Sequence, residues 1–234
     1  MNQKSAYIIS AALVIASLIL GIFFYSARTG SDTIRVTGYA TEDFEADIVK
    51  WNFKLSATVS LERLTQGYDE MRQKLDVFRK IWDPKNIQVD EFNIQPVQVQ
   101  KQYGEYGKIT GNILQQDIYI VSKEIESIEK IAINPAEFTQ NNLAFEYSQI
   151  EYFSTRLPEL KKQLLSMAMV NARERADEIV SAADGSIEKL RSAYSGVFQI
   201  TEPFSTEISG YGMYNTSSRK KSIKVTVTAT FAVK

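Results

Sequence analysis

The sequence predicts an α+β domain carried behind a single N-terminal membrane helix. Three observations predict it. Residues 7–25 form one uncharged, apolar run. Behind that run, stretches alternating apolar and polar residues surround three stretches of helical period. Their order, β β α β β α β α β β, puts strands in hairpin pairs with helices between. That order suits mostly antiparallel sheets with helices packed on one face.

The N-terminal run, YIISAALVIASLILGIFFY, is 19 residues long, enough to cross a hydrocarbon core of roughly 30 Å. Ser10 and Ser17 can return their hydroxyls to the helix carbonyls. Tyr7, Phe23, Phe24 and Tyr25 set aromatics near both ends, as in an interfacial belt. The rival reading is a cleaved signal peptide. Its apolar region is shorter, and Tyr25-Ser26-Ala27 puts a bulky ring where a cleavage site wants a small residue. The expectation is therefore a short cytoplasmic tail at 1–6, a transmembrane anchor at 7–25 that contacts membrane lipid, a linker at 26–33 and a folded domain at 34–234. Lys4 on one side and Arg28 and Arg35 on the other nearly tie the positive-inside count. The short tail favours a single-pass protein of the inner membrane, N-terminus in, with its domain in the periplasm or outside.

Within the domain, residues 34–40 (IRVTGYA) alternate as a strand, and an acidic turn follows. Residues 47–59 alternate again, with Ile48, Trp51, Phe53, Leu55, Ala57 and Val59 supplying most of one face. The period then changes. Leu61, Leu64, Tyr68, Met71, Leu75, Phe78 and Trp82 lie three and four apart, a helix stripe. A stripe of about three heptads fits packing on a sheet better than a coiled coil. Ser60 is the candidate N-cap; Arg63 at the capping-box position means the box is absent. Asp83-Pro84 ends the helix.

Residues 87–100 are extended, with Pro96 inside the run pointing to a bulge or an edge strand. Residues 101–108 (KQYGEYGK) form a hairpin loop, and residues 109–121 return as a strand. Residues 122–133 make a short helix with Ser122 as its candidate cap, stopped at Asn134-Pro135. Residues 143–153 read as a strand. A helix begins near Pro158 and runs to about Ala183, with Ala168, Ala172 and Ala176 forming a narrow ridge for close packing; Asp184-Gly185 closes it. Residues 186–200 are a strand region and 201–218 a polar loop. Residues 220–233 hold the cleanest strand, alternating through Ile223, Val225, Val227, Ala229, Phe231 and Val233. Two βαββ-like stretches could form two subdomains.

Composition narrows function. With 44% hydrophobic and 24% charged residues the chain is ordinary for a globular protein. Residues 1–30 hold Lys4 and Arg28 and no acid, so 27 − 2 leaves 25 basic against 28 acidic residues beyond them. A net charge near −3 is no footprint for nucleic acid. There is no cysteine and no histidine. Disulfides, thiolate metal sites and the usual serine and cysteine triads are excluded. No catalytic, cofactor-binding or metal-ligating set emerges, and an enzyme is not expected. Glu42, Asp43, Glu45 and Asp47 cluster, but the glycine-containing calcium-loop pattern is absent, so a solvated turn is the plainer reading. A carboxylate pair for glycoside hydrolysis is conceivable in an acid-rich chain, yet nothing selects one. Tyr103 and Tyr106 in one loop, and Tyr211 and Tyr214 in another, are candidate interface or ligand-binding residues. Packing of each on its own hairpin is the alternative.

Several of these features together resemble the SIMPL (DUF541) family of bacterial cell-envelope proteins. They are Val36-Thr37-Gly38 before the acidic turn and long strand, the first domain helix, Asn86-Ile87-Gln88, the spaced alanines 168, 172, 176 and 182 or 183 ahead of Gly185, and the closing strand. The resemblance covers residues 34–233. Two positions depart from the family's pattern. Glu45-Ala46-Asp47 stands where Pro-Asp is frequent, and Gly111-Asn112-Ile113 where a Gly-Tyr precedes the mid-chain strand. The resemblance implies a SIMPL-like fold, an outward location, and homo-oligomers that are ring-like or hollow in some members. It brings no catalytic residues. The expected role is structural, channel-like or stress-protective, with a tethered peptide- or glycan-binding module as the alternative.

Overall fold

The computed structural model describes residues 3–28 and 32–234, with side-chain surroundings in the first segment given for Tyr7 and residues 9–25. Part of the expected tail at 1–6 and the middle of the linker at 26–33 therefore lie outside the described residues. The first helix, α1, spans Gln3–Arg28. The chain divides into two compact units drawn from interleaved segments. A small unit holds Met1–Ala40, Leu165–Gly196 and Val225–Lys234; a large unit holds Thr41–Leu164 and Val197–Lys224. Three of the four boundaries fall inside elements, β1 (Thr33–Glu45), α5 (Leu157–Ser181) and β10 (Lys220–Val233).

In the large unit, β2 (Ile48–Val59) and β5 (Ile109–Ser122) pair antiparallel from Val49↔Ser122 to Val59↔Asn112. β6 (Tyr147–Phe153) pairs with the other side of β2, from Ile48↔Phe153 to Lys54↔Tyr147. β3 (Glu91–Ile94) and β4 (Gln98–Tyr103) follow one another along the outer side of β5. Pro96 lies in the gap between them. A proline there interrupts an edge and removes no ladder bond from a central strand.

One face of β2 is apolar and buried; Lys50, Asn52, Lys54 and Ser56 alternate on the other. The helices α2 (Leu64–Trp82), α3 (Ile125–Ile133) and α4 (Ala136–Gln140) contribute to the core on the apolar side. Met71, Phe78 and Trp82 of α2 are buried there with Trp51 and Phe53 of β2, so the heptad stripe faces a sheet. Phe78 stacks on Phe138 at 5.5 Å between centroids. The Trp51 indole N–H donates to Ser148 Oγ at 2.9 Å, which satisfies a buried donor. Buried Gly67 keeps α2 close to β5: a Cβ there would stand 2.7 Å from Leu114 Cδ1.

Several boundaries differ from expectation. The acids at 42–45 do not form a turn; β1 runs through them. Phe44 is buried while Asp43 and Glu45 stand exposed, so the alternation carries the charges on the outer face. Ser60 makes no side-chain cap; its carbonyl oxygen accepts from Arg63 N at 3.1 Å, closing a 3₁₀ turn that precedes α2. Ser122 ends β5. Its hydroxyl donates to Gln88 O and accepts from Glu124 N at 2.9 Å, while α3 begins three residues on. Leu143 and Phe145 join the core from a loop before β6. β8 (Gln199–Thr201) and β9 (Met213–Tyr214) pair parallel, and β8 pairs antiparallel with β10 at Ser222↔Thr201.

In the small unit, β10 lies between β1 and β7 (Ile187–Ser195). The β7–β10 pairing is antiparallel with two irregularities. α5 contributes Ala168, Ala172 and Ala176, all fully buried. A Cβ on Gly38 would stand 2.3 Å from Ala172 N and 2.4 Å from Ala168 O. The V-x-G of β1 and the alanine ridge of α5 are thus two halves of one backbone-to-backbone contact. The outward edge of β1 is capped from the same helix. Tyr39 N donates to Asn171 Oδ1 at 3.1 Å, and Arg175 Nη1 donates to Thr37 O at 2.6 Å. Side chains there occupy backbone groups that could otherwise recruit another strand. The end of α5 also differs from expectation. Asp184, not Gly185, takes the left-handed conformation (φ 58°). Gly185 is needed for room, since its Cβ would meet Val180 Cγ1 at 2.8 Å.

Candidate functional site

The four tyrosines singled out in the sequence do not form one site. Tyr103 and Tyr106 occupy the β4–β5 hairpin, closed by Gly104 N donating to Lys108 O at 2.8 Å. Tyr106 sits in the left-handed region (φ 58°) and is wholly exposed. Tyr211 is wholly exposed on the loop between β8 and β9, and Tyr214 lies in β9 itself. That loop is rooted at the far side of the same sheet. Tyr152 of β6 donates its N–H to Thr216 O at 2.7 Å. Tyr152 pairs with Val49 of β2, while the hairpin lies beyond Asn112, which pairs with Val59. Ten residues of β2 separate those positions, about 33 Å at about 3.3 Å per residue. The two loops occupy diagonally opposite corners of the large unit.

Tyr214 behaves differently from the other three. Its ring lies 6.1 Å from that of Phe153, and burial pushes its hydroxyl pKa up. It packs on its own unit. Two further apolar residues of the same loop, not singled out in the sequence, are more exposed than Tyr214. Phe204 is wholly exposed in the left-handed region (φ 65°), and Ile208 is 81% exposed. The signal was available: apolar residues with no periodic partner between Pro203 and Gly210. The loop is braced rather than loose. Gln199 Nε2 donates to Ser209 O at 2.7 Å, Ser209 N donates back to Gln199 Oε1 at 3.3 Å, and Asn215 Nδ2 donates to Glu202 Oε2 at 2.6 Å.

The acids of residues 42–47 are put to separate uses. Glu45 Oε1 lies 2.9 Å from Arg219 Nε, an ion pair whose direction does not make a hydrogen bond. Arg219 also approaches Glu126 and Glu129 at 3.5 and 3.6 Å. Asp47 accepts from Thr155 N at 2.8 Å and from the Thr155 hydroxyl. Burial alone would raise its pKa, but these hydrogen bonds outweigh it and hold the carboxyl below its ordinary value. Among the described residues no group of three or more histidine, cysteine or acidic side chains is disposed to hold a metal ion.

Two further features belong to the large unit. A groove of about 630 Å³ is lined by residues including Ile87, Ser127, Lys130 and Phe138, with Lys85 Nζ bonded to Glu137 Oε2 at 2.5 Å at its side. Lys221 is fully buried. Its Nζ donates to Asn215 O at 2.5 Å and stands 5.9 Å from the Tyr214 ring centroid. Burial lowers its pKa to about 8.

Residues 34–231 match a family model, that of the SIMPL proteins, described as proteins of unknown function (DUF541). The chain belongs to the SIMPL family. The match spans nearly all of β1 through nearly the whole of β10 and so draws on both units. It includes Gly38, the alanine ridge and both exposed loops. A search of curated proteins finds no match.

Ahead of the SIMPL domain, α1 is 26 residues long, about 39 Å at about 1.5 Å per residue. Its continuous run of described side chains is shorter, residues 9–25. Among the described residues no helix is long and apolar enough to cross a membrane. Every side chain described in α1 is exposed, Leu13, Leu18, Leu20, Ile22, Phe23 and Phe24 included.

Proposed function

We propose that this SIMPL protein is an anchored envelope protein, its domain facing outward, that assembles with copies of itself. The assembly would be ring-like or cage-like and serve a structural, channel-like or stress-protective role. The observation that carries the reading is α1. A helix whose described apolar side chains all stand exposed needs a cover, and lipid is the cover that the uncharged run of residues 7–25 in the sequence suits. A linker of small and polar residues then joins anchor to domain, and a cysteine-free domain fits an oxidising compartment. Assembly would bring many anchors to one patch of membrane, where individually modest insertions add as avidity. The reading assigns no reaction and no cofactor.

The test is fractionation of cells expressing the full chain, followed by alkaline carbonate extraction and mass measurement in detergent. The expected result is a protein that stays in the membrane pellet, is released only by detergent, and is multimeric. Release by carbonate sinks the anchor. A monomer at every concentration sinks the assembly.

A second reading, a tethered module that captures a peptide or glycan, is supported by the braced, exposed aromatics. It expects Tyr103→Ala, Tyr106→Ala and Tyr211→Ala to abolish capture and leave the multimer intact.

A further inference from the structure

We propose that copies of the chain meet head to tail, with the Tyr106 hairpin of one copy seated on the Phe204–Tyr211 loop of the next. The proposal rests on the assembly reading above and names its contact.

Two features of the large unit carry it. The first is apolar display. Tyr106, Phe204 and Tyr211 are wholly exposed, and Tyr103 and Ile208 largely so. Both displays are held in shape, by the Gly104–Lys108 bond in the hairpin and by Gln199 and Asn215 in the loop. A preformed surface loses less entropy on binding than a floppy one. Aromatic side chains are enriched at the cores of protein interfaces.

The second is charge. Residues 98–108 carry Lys101, Lys108 and Glu105, a net +1. Residues 202–214 carry Glu202 and Glu207 and no basic residue, a net −2. The displays are opposite in sign and lie at opposite corners of one unit. Like-with-like contact would set −2 against −2, which electrostatic complementarity disfavours. Hairpin-on-loop contact sets +1 against −2. A contact between two different patches is heterologous, and it generates a ring where the rotation closes.

The size of the contact fits this geometry. Four aromatic rings burying about 150–250 Å² each give about 600–1,000 Å². That falls below the roughly 1,200–2,000 Å² of a specific pairwise interface. One such contact is weak. A closed ring makes several at once and holds through their sum.

The chain has no cysteine, so introduced thiols are unique. Full-length Tyr106→Cys and Tyr211→Cys chains, each changed at a wholly exposed position, are mixed in detergent and oxidised. The expected result is a crosslinked pair of about twice 26.5 kDa from the mixture, none from either chain alone, and a ladder of higher multimers from the doubly substituted chain. Lys108→Glu and Glu207→Lys should each shift the assembly midpoint about tenfold to higher concentration. The combined swap should restore it. Crosslinking of either single variant with itself overturns the head-to-tail contact. So does a wild-type multimer whose mixed variants fail to crosslink, an outcome that leaves assembly standing. A wild-type chain that is monomeric throughout removes both.

Discussion

The core of the large unit is built around a cluster of aromatic rings; in the small unit a strand and a helix meet backbone to backbone. Trp51 and Phe53 lie 4.4 Å apart by centroid, and Phe78 stacks on Phe138 and Trp82 at 5.5 and 5.7 Å. Gly38, by contrast, leaves no room for even one methyl group against Ala168 and Ala172. The first arrangement is stabilised mainly by apolar area removed from water, at about 25 cal/mol per Å². The second brings the α5 side chains Asn171 and Arg175 within reach of the β1 backbone. Polarity divides the units as well. The buried polar side chains Asn112, Gln116, Ser122, Thr201 and Lys221 all fall in the large unit. The difference teaches that opposite substitutions threaten the two contacts: removal of volume in the aromatic cluster, addition of volume at the Gly38–α5 contact.

The largest expected effect is Trp51→Ala. It empties the middle of the aromatic cluster and removes the indole hydrogen bond to Ser148. The loss should be about 3–5 kcal/mol, read as a fall in the urea midpoint at unchanged slope. A loss below about 1 kcal/mol would mean that the cluster does not hold the unit. Next comes Gly38→Ala in the small unit. The atoms it meets are backbone, which no rotamer change can move aside. The expected loss is about 2–3 kcal/mol, toward the upper end of overpacking. Neutral behaviour at Gly38 would show that β1 and α5 separate without cost, and the contrast between the units would fail.

These two sites differ in how openly the sequence showed them. The apolar stripe from Leu64 to Trp82 and the alternation from Ile223 to Val233 are periodic, so local pattern alone exposed them. Gly38 and the alanine ridge were visible as separate motifs. Their meeting across more than 130 residues was not, because no local period records a tertiary contact. The same holds for Arg219, whose three carboxylates come from two distant places in the chain, Glu45 and the α3 pair Glu126 and Glu129, and for the interleaving of the two units. β1 was read too short because charge was taken for a turn, although Phe44 kept the strand's parity. For the exposed loops, tyrosine content drew attention to Tyr214, the least exposed of the four tyrosines, and away from Phe204 and Ile208, which stand more exposed than it does.

The smallest of these effects isolates the polarity difference. Lys221 in the large unit has a folded-state pKa of about 8, below the roughly 10.4 of an unfolded lysine. Below pH 8 both states are protonated, and the folded state carries the full penalty of a buried ammonium. As pH rises through 8 toward 10.4, the folded state releases its proton first. The unfolded state then binds more protons, so stability rises with pH across that window. From about pH 7.5 to 9.5 the gain should be roughly 1–2 kcal/mol. Tyr152 does not reverse it there, because burial and its hydrogen bond to Glu129 raise the phenol pKa above the ordinary value. Lys221→Met removes the titrating group and keeps most of its volume, so its urea midpoint should lack this rise. If wild type and variant climb in parallel, the gain belongs to other groups. The buried lysine is then no source of pH sensitivity, and the polarity of the large unit rests on its uncharged buried side chains.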